Sequence, residues 1–187
     1  YKRQVTIAEG NHEYGSARNY VTFCGTYIFS FDKDDLRRDM TCAPYKYDKD
    51  LNQVIDMGFS ANGVGKWSKL KMESPLGASS GSNTGINSVR MRFADVLLMY
   101  AEAEVRKTGT VPSVAAINAV NQVRKRAGLS DLPSVTTNTK DAFLNAILIE
   151  RGHEFFYEGN RKIDLIRFNK YAQEMYKAKG IMLTHQY

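Results

Sequence analysis

Residues 93–107 read Phe-Ala-Asp-Val-Leu-Leu-Met-Tyr-Ala-Glu-Ala-Glu-Val-Arg-Lys, and this stretch decides the fold class. Phe93, Val96, Leu97, Tyr100, Ala101 and Glu104 recur at the spacing of one helical face, which predicts a packing stripe that closes on a polar end. Thr108-Gly109-Thr110-Val111-Pro112-Ser113 stops this helix and offers Ser113 as the N-cap of the next. Ala116, Ile117, Val120, Val123 and Ala127 carry a second helix to Gly128, which sits where a left-handed terminating residue belongs. The short connection makes the pair antiparallel. Thr139 is a plausible N-cap for a third helix through Ala142, Phe143, Ala146, Ile147 and Ile149 to Phe155 and Phe156. That helix is apolar on nearly every side, hence expected to be buried, and Gly159 should stop it. A fourth helix is expected from Arg161 through Ile163, Leu165, Ile166 and Phe168, continuing to Tyr171 and Met175. Four helices on short turns make two stacked hairpins, an arrangement typical of helical repeats.

Outward from this block the character changes near residue 90. Residues 1–89 read as a loop-rich part with short strands, expected at Tyr20-Val21-Thr22-Phe23 and Thr26-Tyr27-Ile28-Phe29, followed by a Gly-, Ser- and Asn-rich stretch from Ser74 to Asn87. Residues 90–187 form the helical part, and both are expected to belong to one domain of a longer protein. The expected fold class is therefore mainly α. With 187 residues, 43% hydrophobic and 25% charged, the composition is that of an average globular chain, which excludes disorder and a disulfide-dense mini-protein. No apolar run reaches the roughly 18 residues of a membrane-spanning helix. The chain opens Tyr1-Lys2-Arg3-Gln4 without an initiator Met or a signal-peptide core, so a piece of something longer is expected.

The net charge of +6 is spread thinly. Arg124-Lys125-Arg126 is the one uninterrupted basic triplet, and it reads as a solvated helix end favoured by the macrodipole, so no nucleic-acid partner is expected. Cys24 and Cys42 could form one disulfide in an oxidising compartment or remain thiols, and their spacing makes no zinc site.

Several catalytic patterns fail on inspection. Gly77-Ala78-Ser79-Ser80-Gly81 matches Gly-x-Ser-x-Gly, but the loop continues through Ser82-Asn83-Thr84-Gly85 where a nucleophile elbow needs a helix. His153-Glu154 lacks the second His four residues on, where Tyr157 stands, so His153 reads as a hydrogen-bonded interhelical residue. Asp48, Asp50 and Asn52 imitate the start of a calcium loop, yet Gln53 replaces its Gly and Phe59 its bidentate Glu. Gly63-Val64-Gly65-Lys66 runs into Trp67 where a phosphate loop needs Ser or Thr. No enzyme, metal or cofactor is expected.

Binding remains. Aromatic rings on ordered loops suit sugars, whose axial C–H groups pack on a π-face while neighbouring polar groups bond the hydroxyls. Trp67, Tyr45 and Tyr47 are the candidates, with burial in a local core the alternative for each. In the helical part, Glu150, Arg151, Glu154, Glu158, Arg161, Asp164 and Arg167 are spaced for an interhelical ion-pair network, with Arg151 or Arg161 expected between Glu150 and Glu154, and Arg161 beside Asp164.

Three ordered blocks carry a family resemblance: Arg90-Met91-Arg92-Phe93-Ala94-Asp95-Val96-Leu97-Leu98-Met99-Tyr100-Ala101-Glu102-Ala103, Ile117 to Leu129, and Ile149-Glu150-Arg151-Gly152-His153-Glu154-Phe155-Phe156-Tyr157-Glu158-Gly159-Asn160-Arg161 on to Phe168. They resemble the SusD/RagB family of nutrient-binding outer-membrane lipoproteins, with Asp35-Leu36-Arg37-Arg38-Asp39 and Lys66-Trp67 similar to its preceding region. The resemblance implies tetratricopeptide-like helix pairs in a cell-surface protein of the outer membrane. It also implies an N-terminal lipid anchor absent from this chain, for which neither Cys24 nor Cys42 should be mistaken. Its implied ligand is an oligosaccharide, starch-like in the type case, bound without chemical change and handed to a SusC-like TonB-dependent transporter. The alternatives are a helical-repeat protein–protein interaction module and a hydrolase using Ser79.

Overall fold

The computed structural model describes residues 25–43, 45–48, 50, 52–55, 64–67, 72–74 and 89–184. Among these are six α-helices and one two-stranded sheet. The chain divides into two compact units, one of residues 1–90 with Ala127–Leu129, the other of residues 91–126 and 130–187.

In the first unit, Gly25–Ser30 forms a 3-10 helix. This corrects the strand expected at Thr26-Tyr27-Ile28-Phe29: Ser30 Oγ donates to Tyr27 O at 2.7 Å, and Phe31 meets Tyr27 edge to face, local contacts that favour a tight turn. The run Tyr20–Phe23 lies outside the described residues. Helix α1 spans Leu36–Thr41, capped by the Asp35 carboxylate, which accepts from Arg37 N at 2.9 Å. Strands β1 (Tyr45–Tyr47) and β2 (Gln53–Ile55) pair antiparallel, Tyr45 opposite Ile55 and Tyr47 opposite Gln53. The would-be calcium ligands build their turn: Asp48 Oδ1 accepts from Asp50 N and Asn52 N, and Asn52 Nδ2 donates to Asp48 Oδ2. The carboxylate that sequence placed first in a cation loop is engaged by its own backbone. Among the described residues, no acidic, His or Cys group could hold a metal. Cys42 is a buried free thiol, not half of a disulfide, and bridges Val64.

The second unit holds α2 (Phe93–Thr108), α3 (Val114–Arg126), α4 (Lys140–Glu154), α5 (Arg161–Arg167) and α6 (Tyr171–Thr184). The punctuation of these helices follows the sequence. Gly109 ends α2 at φ 72°, Ser113 Oγ accepts from Ala116 N at 3.2 Å, Gly128 takes φ 80°, and Thr139 caps α4 through Ala142 N. Helix α2 packs against α3 and α4, and the core is made of Leu98, Val105, Val120, Phe143 and Ile147 among small residues. Each of the large side chains contributes about 1.5–3 kcal/mol by leaving water.

Three expectations change in this unit. The buried face of α2 is Ala94, Leu98, Ala101, Glu102 and Val105, whereas Phe93, Val96 and Tyr100 are exposed. Ala94 and Ala101 of α2 and Ala116 and Ala119 of α3 all belong to the buried core, and small side chains let two packed helices approach closely. Helix α4 stops at Glu154, before Phe155 and Phe156, because Tyr157 and Gly159 turn at φ 67° and 84°. The fourth helix is two, α5 and α6. Asn169 adopts φ 54°, its N–H bonds Ile166 O, and Lys170 N bonds Leu165 O at 2.8 Å. That double return is a Schellman ending, with Asn in the place usually held by Gly. None of the helices is long and apolar enough to cross a membrane, among the described residues.

Candidate functional site

The sequence candidates all lie in the first unit. Trp67 ends the Gly65–Trp67 turn, which packs beside α1, and its ring is half-buried with Lys66 Nζ 5.9 Å from the centroid. A cation at that distance is attracted by the indole quadrupole. Tyr45 opens β1 and is half-buried; Tyr47 closes the same strand. The Cys42–Val64 bridge is antiparallel, so Tyr45 and Trp67, each three residues past it, leave the bridge in opposite directions. The strand pair joins Tyr45 and Tyr47 in one ladder, and Trp67 stands apart from that ladder in sequence and in element.

Helix α1 sets the charge beside Trp67. Arg37 grips Asp35 through Nε to Oδ1 at 2.9 Å and Nη2 to Oδ2 at 2.7 Å, and Arg38 grips Asp39 through Nε and Nη2 at 2.7 and 3.0 Å. Both forks are bidentate, the strong geometry for arginine and carboxylate. The Arg38 hydrogen bond holds the Asp39 carboxyl below its ordinary range. Burial, with a smaller contribution from the Asp39 charge, pushes the Cys42 thiol up to about 12, so it is no nucleophile at neutral pH.

The ion-pair network expected among the helices is present, with different partners. Arg92 Nη1 bonds Glu154, its Nη2 bonds Glu154 O at 2.6 Å, and Nε and Nη2 fork onto Glu158 at 3.0 and 2.7 Å. Arg126 also reaches Glu154, at 2.5 Å, and Arg124 reaches Glu150 at 3.3 Å. Arg151 lies between Asp95 and Asp164, at 2.7 and 2.9 Å. Arg167 joins Asp164 to Glu102, which also takes Arg106. Arg161 pairs with neither Asp164 nor the two glutamates; its Nη1 donates to Leu148 O at 2.8 Å, over Gly152. Phe155 receives two guanidiniums, Arg92 at 4.6 Å and Arg151 at 4.9 Å. Burial by itself would lower the Arg92 pKa, but the Glu158 and Glu154 bonds outweigh it and raise the value.

Sequence spacing missed Arg92, Asp95, Glu102, Arg106, Arg124 and Arg126 because their partners are 26 to 66 residues away, except for Arg106 and Glu102. The one available signal was an acidic residue inside an apolar stripe, Glu102 between Ala101 and Ala103. The basic triplet does end a helix, but Arg124 and Arg126 turn onto carboxylates, and Lys125 onto Asp131 at 3.0 Å. His153 is buried on α4. Ser79 lies outside the described residues. Among the described residues this lattice ties the helices of the second unit together, although Glu102 Oε2 is buried without a hydrogen-bond partner.

The chain belongs to the SusD family, whose sequence model matches residues 27–187. It is 37% identical to the SusD-like protein P38 of Formosa agariphila over 51% of this chain and 20% of that protein. It is 27% identical to the SusD-like protein P2 of the same organism over 97% of this chain and 38% of that one. Among solved structures, a SusD homolog from Bacteroides thetaiotaomicron superposes with a TM-score of 0.72 at 26% identity, covering 89% of this chain and 37% of the homolog. Surface glycan-binding protein A from the same organism, in complex with laminarihexaose, shares the fold at a TM-score of 0.63 and 23% identity, over 89% of this chain and 37% of that one. This chain spans less than two-fifths of the length of the relatives it matches.

Proposed function

We propose that the protein is a cell-surface glycan-binding protein that captures an oligosaccharide and delivers it, chemically unchanged, to a SusC-like TonB-dependent transporter. The observation that carries this reading is the SusD family match over residues 27–187. In this reading a lipid anchor holds the protein at the outer membrane. The helix pairs α2–α3 and α4–α5 are tetratricopeptide-like scaffold, and the loop-rich part contributes the aromatic contacts Trp67, Tyr45 and Tyr47. A ring that stacks on a sugar also excludes water from the polar contacts around it, which favours capture without catalysis. The laminarihexaose held by a protein of the same fold puts β-glucan oligomers on the test panel beside starch fragments.

The test is calorimetric titration of the full-length protein against a panel of oligosaccharides, with chromatography of the sugar afterwards. Binding with no shorter products is expected, and Trp67→Ala should weaken it roughly tenfold. No binding to any glycan would favour the second reading, a helical-repeat adaptor for another protein. Released fragments would make the protein an enzyme, and unchanged affinity in Trp67→Ala would remove that ring from the site.

A further inference from the structure

We infer that the outward face of α2 is an interior surface of the full-length protein, covered by a segment of that protein outside residues 1–187 that brings an apolar stripe and a lysine or arginine to meet Glu104. The first support is the helix itself. From Phe93 to Ala103 its only charged residues are Asp95 and Glu102, which turn onto Arg151 and onto Arg106 and Arg167, respectively. The remainder is apolar on two sides. Ala94, Leu98, Ala101 and Val105 fill the core, while Phe93, Val96 and Tyr100 stand 70%, 44% and 48% exposed on the other side. A helix that is apolar all round belongs between two layers, and the described residues supply one of them.

The second support is Glu104. Phe93, Leu97, Tyr100 and Glu104 fall at i, i+4, i+7 and i+11, so the carboxylate closes the exposed stripe. Its Oε2 is shielded from water and has no hydrogen-bond partner among the described residues. Native proteins avoid a shielded carboxylate oxygen without a donor, and a cation arriving with the covering segment supplies one. Size decides the occupant. From Phe93 to Glu104 the stripe is about 16 Å long and one helix wide, on the order of 200 Å². Each partner in a stable complex gives roughly 800 Å². A face this small holds a segment tethered in the same chain, at high effective concentration, better than it holds a separate molecule. A protein of the relatives' length has the chain to supply it, since 97% of this chain matches 38% of the SusD-like protein P2. Covered in this way, the face is closed to glycan and transporter alike.

The experiment is hydroxyl-radical footprinting of the full-length protein, with mass spectrometry reading oxidation of Phe93 and Tyr100 against the core residue Phe143 and against the urea-unfolded chain. Both rings should oxidise about tenfold more slowly than in urea, close to the rate of Phe143, and dilution should leave this unchanged. Oxidation at the rate of exposed rings overturns the inference. Protection that fades on dilution overturns it in favour of a second copy. Glu104→Lys sets like charges against each other, so it should raise oxidation of both rings severalfold while Phe143 stays protected, and Glu104→Gln should raise it less. Undiminished protection in Glu104→Lys overturns the basic partner of Glu104.

Discussion

Arg92 shows how much one side chain can fix. It stands immediately before α2 and ties the turn after α4 to it, through Glu154, Glu158 and the Glu154 carbonyl, while its guanidinium covers Phe155. Tyr157 in that turn has φ 67°, a conformation that costs an L residue about 1–2 kcal/mol. The clamp makes that conformation affordable. Arg92→Ala should lower stability by about 3 kcal/mol, because the largely buried Glu158 and Glu154 side chains both lose its guanidinium. Urea denaturation of the two proteins measures this, and a loss below about 1 kcal/mol would show the clamp to be incidental. Cys42 gives a second prediction at this scale. Its thiol titrates near 12 in the folded protein against an ordinary 9.0, chiefly from burial. Below pH 9 both states keep the proton; above it the unfolded chain loses the proton that the folded one retains. Stability therefore falls as pH rises from about 9 towards 12, by up to about 1.4 kcal/mol per unit. Cys42→Ala should remove that part of the slope, seen as a smaller alkaline drop in melting temperature than the parent shows.

At the scale of the element, Gly152 and Arg161 test whether α4 was built around a neighbour's charge. A Cβ on Gly152 would lie 2.9 Å from Arg161 Nη1, and that nitrogen bonds Leu148 O. Alanine gains about 1 kcal/mol in helix propensity, but displacing a charged hydrogen bond costs about 1.5–3 kcal/mol. Gly152→Ala should therefore destabilise the parent and stabilise an Arg161→Ala background, a sign reversal that a double-mutant cycle reads directly. Additive effects would show that Arg161 yields freely. The same helices show what sequence could and could not say. Caps at Ser113 and Thr139 and terminators at Gly109 and Gly128 were legible, because each is a local transaction between a side chain and its own backbone. The facing of α2 was not. Phe93, Val96 and Tyr100 recur as regularly as Ala94, Leu98, Ala101 and Val105, and periodicity cannot rank two apolar stripes on one helix. Asn169 gives only a weak stop signal in sequence, because Asn ends helices less often than Gly does. At the candidate site, residue type alone singled out Trp67, whereas the packing of its turn beside α1 depends on contact between elements that no local pattern encodes.

At the largest scale, the helical unit is held in two different ways, and this should appear in how it opens. Helices α2, α3 and α4 share an apolar core, reinforced by largely buried carboxylates met by arginines in balanced groups: two arginines with Glu154 and Glu158, and three arginines with Asp95, Glu102 and Asp164. Helix α6 is different. It packs against α5, none of its described side chains is buried, and Met175, Tyr176 and Leu183 stand exposed. A helix of this length draws most of its stability from packing an apolar face, so α6 should open on its own while the core remains closed. Hydrogen exchange of the full-length protein should show the amides of α2 and α4 exchanging only through global unfolding. Those of α6 should exchange orders of magnitude faster, and Arg92→Ala should accelerate the first set without moving the second. Equal protection of α6 would mean that a surface outside the described residues, or a partner, covers Met175, Tyr176 and Leu183. Repeating the exchange after dilution separates these cases, since cover by a second copy is lost as concentration falls and cover by the protein's own chain is retained.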